Sequence, residues 1–162
     1  MAVQIRAVVI TVSDACSRGE REDASGKALV ELLEGMNAEI VETKIVSDDL
    51  EPLADLLRSM ADRENVNLVI TTGGTGFAPR DNTPEATHAV IERAAPGVAE
   101  AMRMQTLQKT PMAMISRGVC GIRSGAMIVN LPGSPKGVRE SFEVVAPVLS
   151  HAITLLSGHQ DH

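Results

Sequence analysis

The run Leu68-Val69-Ile70-Thr71-Thr72 leads directly into Gly73-Gly74-Thr75-Gly76, and Arg80-Asp81-Asn82-Thr83-Pro84-Glu85 follows within a few residues. A short β-branched run ending in glycines reads as a strand entering a loop. Three glycines in four positions remove the side chains that would hold a ligand off the backbone. They also permit positive φ, so that successive N–H groups can converge on an anion such as phosphate. Thr83 can cap the helix that follows, with Pro84 in its first turn where a missing N–H costs nothing. Asp81 therefore falls between a glycine loop and a helix start, where a metal bound to phosphate could be held.

Two common glycine motifs do not fit. A P-loop ends in Gly-Lys-Ser/Thr, whereas Gly76 is followed by Phe77-Ala78. The dinucleotide fingerprint needs a third glycine and a continuing helix where this chain has Ala78-Pro79. A tight strand-to-loop turn would by itself explain Gly73-Gly74. It would not require Arg80-Asp81 and Thr83-Pro84-Glu85, and with those attached the loop reads as functional.

On both sides of this unit, strand and helix patterns alternate. Ala7–Val12 is apolar and β-branched; Leu29, Leu32, Leu33 and Met36 mark one face of a helix opening near Ser25, with Gly35 near its end. Ile40–Val46 is the next strand, Leu53, Leu56, Leu57 and Met60 recur at helical spacing, and Ala86, Val90 and Ile91 line the helix after the glycine loop. Val98–Leu107 reads as a further helix, with Met102 and Met104 as core filler or, as the alternative, an oligomer contact. Val119–Arg123 and Ala126–Leu131 flank Ser124-Gly125 at hairpin spacing. Val138, Phe142, Val145, Leu149, Ile153 and Leu156 trace a long last helix that Pro147 can bend. The expectation is a three-layer α/β domain, a mainly parallel sheet with helices on both faces and one antiparallel hairpin strand, binding ligands at the carboxyl ends of its strands. A single domain spans residues 1–157, and residues 158–162 form a mobile tail whose histidines suit neither metal nor catalysis.

The chain has 162 residues and a net charge of −6, with no Trp or Tyr and two Phe. It thus lacks the basic stripe and stacking aromatics of a protein that binds a nucleic-acid polymer. No apolar stretch approaches the roughly 18 residues of a membrane span, and Met1–Arg6 leads into a strand rather than a signal peptide. A cytoplasmic location follows as an expectation. Cys16 and Cys120 have no metal or redox spacing and are expected as free structural thiols. A small anionic ligand needs local cations, for which Arg80, Arg117 and Lys136 are the candidates, and a divalent metal, because the global field repels it.

A second loop, Asn130-Leu131-Pro132-Gly133-Ser134-Pro135-Lys136-Gly137, also follows a strand and opens a helix with rigid prolines, a hydroxyl and a lysine. Together with Thr71–Gly76 and Arg80–Ala86, it resembles the MoaB/Mog family of molybdenum cofactor biosynthesis. The likeness continues in Thr11-Val12-Ser13-Asp14, in Val46-Ser47-Asp48-Asp49 and in Ser116-Arg117, so that nearly the whole chain is covered in order. Ser47 departs from the pattern, since many relatives place proline before the acid.

The resemblance implies a domain that binds molybdopterin and, in its catalytic branch, transfers AMP to it from Mg-ATP, releasing pyrophosphate. By matched position, Asp48 and Asp81 are the essential acids and would organise Mg²⁺ at the triphosphate, with Asp49 assisting. Gly73, Gly74, Thr75, Gly76 and Arg80 would hold the nucleotide. Ser116, Arg117, Asn130, Pro132, Gly133, Ser134 and Lys136 would hold the pterin, with Ser13 and Asp14 on the same rim. A homotrimer or hexamer that passes its product to a molybdenum-insertion enzyme is also implied. Such transfers need positioning and charge neutralisation more than a protein nucleophile, and no Ser-His or Cys-His pair is evident. Two other readings remain: a non-catalytic molybdopterin-binding protein of the same family, against which Asp48 and Asp81 speak, and an unrelated domain that senses a nucleotide without turnover. Asp48, Asp49 and Asp81 would then be ordinary loop or cap residues.

Overall fold

The computed structural model describes residues 2–159. The end of the expected mobile tail, including His162, lies outside the described residues. Six strands form one sheet in the order β2-β1-β3-β6-β5-β4, comprising β1 (Arg6–Val12), β2 (Glu39–Val46), β3 (Leu68–Thr72), β4 (Arg93–Ala94), β5 (Cys120–Arg123) and β6 (Ala126–Leu131). β2, β1, β3 and β6 pair in parallel, while β5 runs against both β6 and β4. The hairpin expected at Ser124-Gly125 is present, and both residues take positive φ, as a two-residue connection between twisted strands requires.

Alternation along β1 divides the core. Ala7 and Val9 face α2 (Ala24–Glu34) and α6 (Pro135–Leu156), packing with Leu29, Leu33, Phe142, Leu149 and Ile153. Val8, Ile10 and Val12 face the opposite layer, where α3 (Leu50–Ala61) and α4 (Thr83–Val90) bring Leu53, Leu57, Ala86 and Val90. This is the expected three-layer arrangement, produced by strands whose successive side chains point to opposite faces. β1 lies between β2 and β3, so the chain reverses its winding direction there. Loops then open a crevice at the carboxyl edge.

Three elements escape a reading based on periodicity. α1 (Asp14–Ser17) is one turn long, β4 is two residues, and a 3-10 turn covers Pro111–Ile115. None is long enough to show a repeat. α5 (Pro96–Leu107) begins at Pro96 rather than Val98, with proline in its first turn. Thr83 does not cap α4: it is the first helical residue, fully buried, and its hydroxyl turns back to the glycine loop. Among the described residues no helix is long and apolar enough to cross a membrane.

Candidate functional site

At the carboxyl edge Thr11, Ile45, Thr72 and Leu131 pair in one row across four strands. The segments that follow them therefore emerge side by side, and all the loops singled out by the sequence meet there.

The glycine loop is set by its carbonyls. Gly73 accepts the Thr83 hydroxyl at 2.9 Å and Gly74 the Thr83 amide at 3.1 Å. Thr75 accepts the Arg117 amide at 2.8 Å and Gly76 the Arg117 Nε at 2.8 Å. A planar trans peptide holds its N–H opposite its C=O, and no peptide here is cis. The amides of Gly74, Thr75 and Gly76 are thereby turned away from Thr83 and Arg117, and they donate to no other described residue. Positive φ at Gly73 (100°) and Gly74 (69°) makes this path possible. A Cβ on Gly74 would strike the Thr83 hydroxyl and sit 3.2 Å from Asp48 Oδ1, so only glycine fits there without strain.

The family resemblance puts Arg117 at the pterin. Its guanidinium instead spans the Gly76 and Asp81 carbonyls and forms a two-oxygen pair with Glu85 at 2.8 and 3.0 Å. It shapes the loop and holds no free fork for a ligand. Asn130 is also committed: its Nδ2 donates to the Thr71 and Thr87 hydroxyls, and its Oδ1 accepts the Val119 amide, inside a buried network. Lys136 faces solvent with its side chain 86% exposed.

Beside the loop stands an acidic rim. Asp14 and Asp48 exchange bonds, the Asp48 carboxylate accepting the Asp14 amide at 2.9 Å and the Asp14 carboxylate accepting the Asp48 amide at 3.1 Å. The Ser13 hydroxyl caps α1. Arg80 closes the group by donating to both Asp14 oxygens at 2.7 and 3.0 Å and to Asp49 at 2.9 Å. That fork holds the Asp14 carboxyl down at about 2, aided by the Asp48 amide. Asp49 is lowered by Arg80 and by the Ser47 hydroxyl, which donates to it at 3.0 Å and ties the loop. Asp48 is pushed the other way, first by burial and then by the charges of Asp14 and Asp81. Asn82 fixes this loop from the far side, donating to the Asp48 carbonyl at 2.9 Å.

A cleft of about 520 Å³ opens against the loop. Gly74, Thr75, Gly76 and Asp81 form one wall, and Pro132, Gly133 and Ser134 another, with Ser116 and Asn130 between. Ser13, Asp14, Asp48, Gly73, Arg80, Arg117 and Lys136 do not line it. The third wall is one that sequence reasoning misses. It comes from α5 and the 3-10 turn, through Met102, Arg103, Thr106, Thr110 and Met112. Met102 is core filler as expected, at 6% exposure, while also lining the cleft; Met104 is not, being 70% exposed. The spacing of Arg103 and Thr106, one helical turn apart and polar beside a buried Met102, is the signal that could have found this wall.

No group of three or more His, Cys, Asp or Glu among the described residues is arranged to hold a metal ion. Asp48 and Asp81 are close enough for the charge of Asp81 to raise the Asp48 pKa. Two hard carboxylates leaving other positions to phosphate oxygens and water match the habit of Mg²⁺, which keeps much of its shell and is seldom caged by protein alone. The residues present fit such an ion when a phosphorylated ligand accompanies it.

Fold and cleft together define an α/β domain with unpaired backbone amides and a carboxylate on the wall of a cleft at the ends of parallel strands. The chain belongs to the family of the probable molybdopterin binding domain, whose profile matches residues 8–151. It is 42% identical over 153 residues to the molybdopterin adenylyltransferase of Helicobacter pylori strain J99, covering 93% of this chain and 87% of that one. Against the Escherichia coli K12 molybdopterin adenylyltransferase it is 40% identical over 143 residues, covering 87% and 73%. Of the longer Drosophila melanogaster protein cinnamon, 39% identical over 150 residues, it spans 25%. The crystal structure of the molybdopterin biosynthesis enzyme MoaB from Thermus thermophilus superposes with a TM-score of 0.90 at 50% identity, covering 96% of this chain and 98% of that one.

Proposed function

We propose that this protein is a molybdopterin adenylyltransferase that moves AMP from Mg-ATP to the terminal phosphate of molybdopterin. The observation carrying this reading is the row of free amides at Gly74, Thr75 and Gly76 beside Asp81, on the wall of a cleft large enough for a second ligand. Relatives named as molybdopterin adenylyltransferases over most of the chain support it. A terminal phosphate oxygen attacks the α-phosphorus, the bond to the β-phosphate oxygen breaks, and pyrophosphate leaves.

The chain's part is positioning and charge placement. Gly73 sets the turn, and the amides of Gly74, Thr75 and Gly76 take phosphate oxygens in a cradle braced by Thr83 and Arg117. Arg80, held by Asp14 and Asp49, lends positive charge to the nucleotide side. Ser116, Pro132, Gly133 and Ser134 shape the pterin side, and the Asp14–Ser13 turn fixes Asp48 in the rim. Mg²⁺, when held by Asp81 and Asp48 with the phosphates, supplies neutralisation of the triphosphate charge. In line with the family, the protein acts in the cytoplasm as a homotrimer or hexamer and hands its product to a molybdenum-insertion enzyme.

Pyrophosphate release with molybdopterin, ATP and Mg²⁺ tests the reading. Asp81→Asn should keep the fold and pterin affinity but lose roughly a hundredfold in rate, the usual cost of one pre-positioned charge at a transition state. Asparagine preserves the size and can still accept the Ala78 amide that Asp81 Oδ2 takes at 3.0 Å. Turnover within a few-fold of wild type would make Asp81 a loop residue. Pterin binding with no pyrophosphate from wild type would favour the non-catalytic member, and ATP binding without pterin binding the nucleotide sensor.

A further inference from the structure

Among the described side chains that line the cleft, one is cationic, and it is none of those the sequence nominated. Arg103 projects from α5, half-buried, and its Nη1 donates to the Gly118 carbonyl at 2.8 Å. Its Nε and Nη2 meet no acceptor among the described residues, and no carboxylate there stands within ion-pair distance of it. The other candidates are occupied or lie outside the lining: Arg80 is held by Asp14 and Asp49, Arg117 by Glu85 and the loop, and Lys136 is exposed and stands 4.0 Å from Glu140.

The cleft also contains two carboxylates, Asp81 and Glu140. Lys136 stands 4.0 Å from Glu140 and offsets part of its charge, whereas Asp81 has no cation within ion-pair distance among the described residues, so an anionic ligand would enter against Asp81 unless a cation met it. Phosphate is the group that a guanidinium with two spare donors fits best, because the planar fork matches two of its oxygens at once. The bond to Gly118 pins one corner of the fork and lowers the entropy cost of using the rest. Gly118 is itself tied to Ser116, whose hydroxyl accepts its amide at 3.4 Å, so Arg103 and the Ser116 segment form one unit. The start of α6 at Ser134-Pro135 adds its partial positive charge on a neighbouring wall. The glycine loop already provides for one set of phosphates with neutral amides. A second phosphate-bearing ligand needs its own anchor.

We propose that Arg103 is the anchor for the acceptor's phosphomonoester, the terminal phosphate of molybdopterin, and so determines which pterins are accepted. This rests on the adenylyltransferase reading and goes beyond it by assigning the acceptor's phosphate to a residue on α5. Arg103 holds that phosphate while its oxygen is directed at the nucleotide bound on the glycine-loop wall.

The test titrates wild type, Arg103→Met and Arg103→Lys with molybdopterin and separately with Mg-ATP, with thermal melting of each and inorganic phosphate as competitor. For Arg103→Met, molybdopterin affinity falls about 10- to 100-fold, the range expected for losing a charge-assisted pair of hydrogen bonds. Mg-ATP affinity stays within about twofold, the KM for molybdopterin rises in step, and kcat at saturation falls as well, because the attacking phosphate loses the group that orients it. Arg103→Lys is intermediate, because lysine keeps the charge and loses the fork. Inorganic phosphate competes with molybdopterin on wild type and less on Arg103→Met. Unchanged molybdopterin affinity in Arg103→Met, or an equal loss for Mg-ATP, overturns the assignment. If Arg103→Met melts early, Arg103→Lys decides: wild-type pterin affinity in a stable Arg103→Lys together with loss of both ligands in Arg103→Met makes the residue a support for Gly118 alone. Wild type that binds no molybdopterin sinks the adenylyltransferase reading and this assignment together, whereas wild-type turnover with an indifferent Arg103→Met sinks this assignment only.

Discussion

Arg80 shows how one side chain can decide the electrostatics of the rim. Four carboxylates, Asp14, Asp48, Asp49 and Asp81, gather at the ends of three strands, and Arg80 alone bonds to two of them. The Asp14 pKa falls from 3.8 to about 2, and Asp49 moves in the same direction. A carboxylate depressed in the folded state contributes stability above its unfolded value, and that contribution disappears as the pH falls through its folded value. Asp48 has the opposite sign: raised by burial, it favours the fold when protonated, and that contribution is lost as the pH rises through its folded value. Arg80→Met should therefore melt below wild type at neutral pH, and the gap should narrow between the ordinary 3.8 and about 2. Melting curves across that range would show it. A gap of constant size would mean that the ion cluster adds nothing measurable, the common fate of exposed pairs.

At the level of elements, the site is a set of ties between segments far apart in sequence. α4 holds the glycine loop through Thr83, and the segment before β5 holds it through Arg117, so the loop's shape is fixed by residues outside it. α6 presents a different problem. It runs unbroken from Pro135 to Leu156 although Pro147 lies inside it. Proline cannot donate to the Glu143 carbonyl one turn back, and that would be costly in a buried helix. Here Pro147 and Glu143 are exposed, so water can serve the freed carbonyl while Val145, Leu149 and Ile153 keep the buried stripe. Pro147→Ala should stabilise the protein by about 1–3 kcal/mol in urea unfolding, the range set by restoring one helical bond against the added entropy of the unfolded chain. No gain, or a loss, would show that Pro147 itself serves the packing of α6.

For the molecule as a whole, charge dictates how a nucleotide can bind. A net charge of −6 and the carboxylates of the rim repel a triphosphate. The loop amides and Arg80 offset only part of that. ATP affinity should drop at least about tenfold, or ~1.4 kcal/mol, when Mg²⁺ is replaced by EDTA. Calorimetric titration of both forms measures this, and equal affinities would remove Asp48 and Asp81 from any metal role. Of the exposed apolar side chains of the α5 and 3-10 region, Met104, Leu107, Met112 and Met114, Met112 lines the cleft.

What the sequence determined was whatever depends on near neighbours. Periods of two and near four residues located the long strands and helices, because burial of one face imposes them. Gly73-Gly74 marked a positive-φ turn because few other residues tolerate it. The hairpin at Ser124-Gly125 and the order of the motifs were legible for the same reason. Tertiary structure alone decided which polar and charged groups were left free. Arg80, Arg117, Asn130 and Lys136 looked equally available as letters. The fold consumed three of them in bonds to residues 11 to 66 positions away and left the fourth exposed beside Glu140. It also brought Arg103 into the cleft from a helix whose pattern suggested only packing. A side chain's type fixes what bonds it can make. The long-range approach of partners fixes which bonds are made, and only the groups left over can meet a ligand.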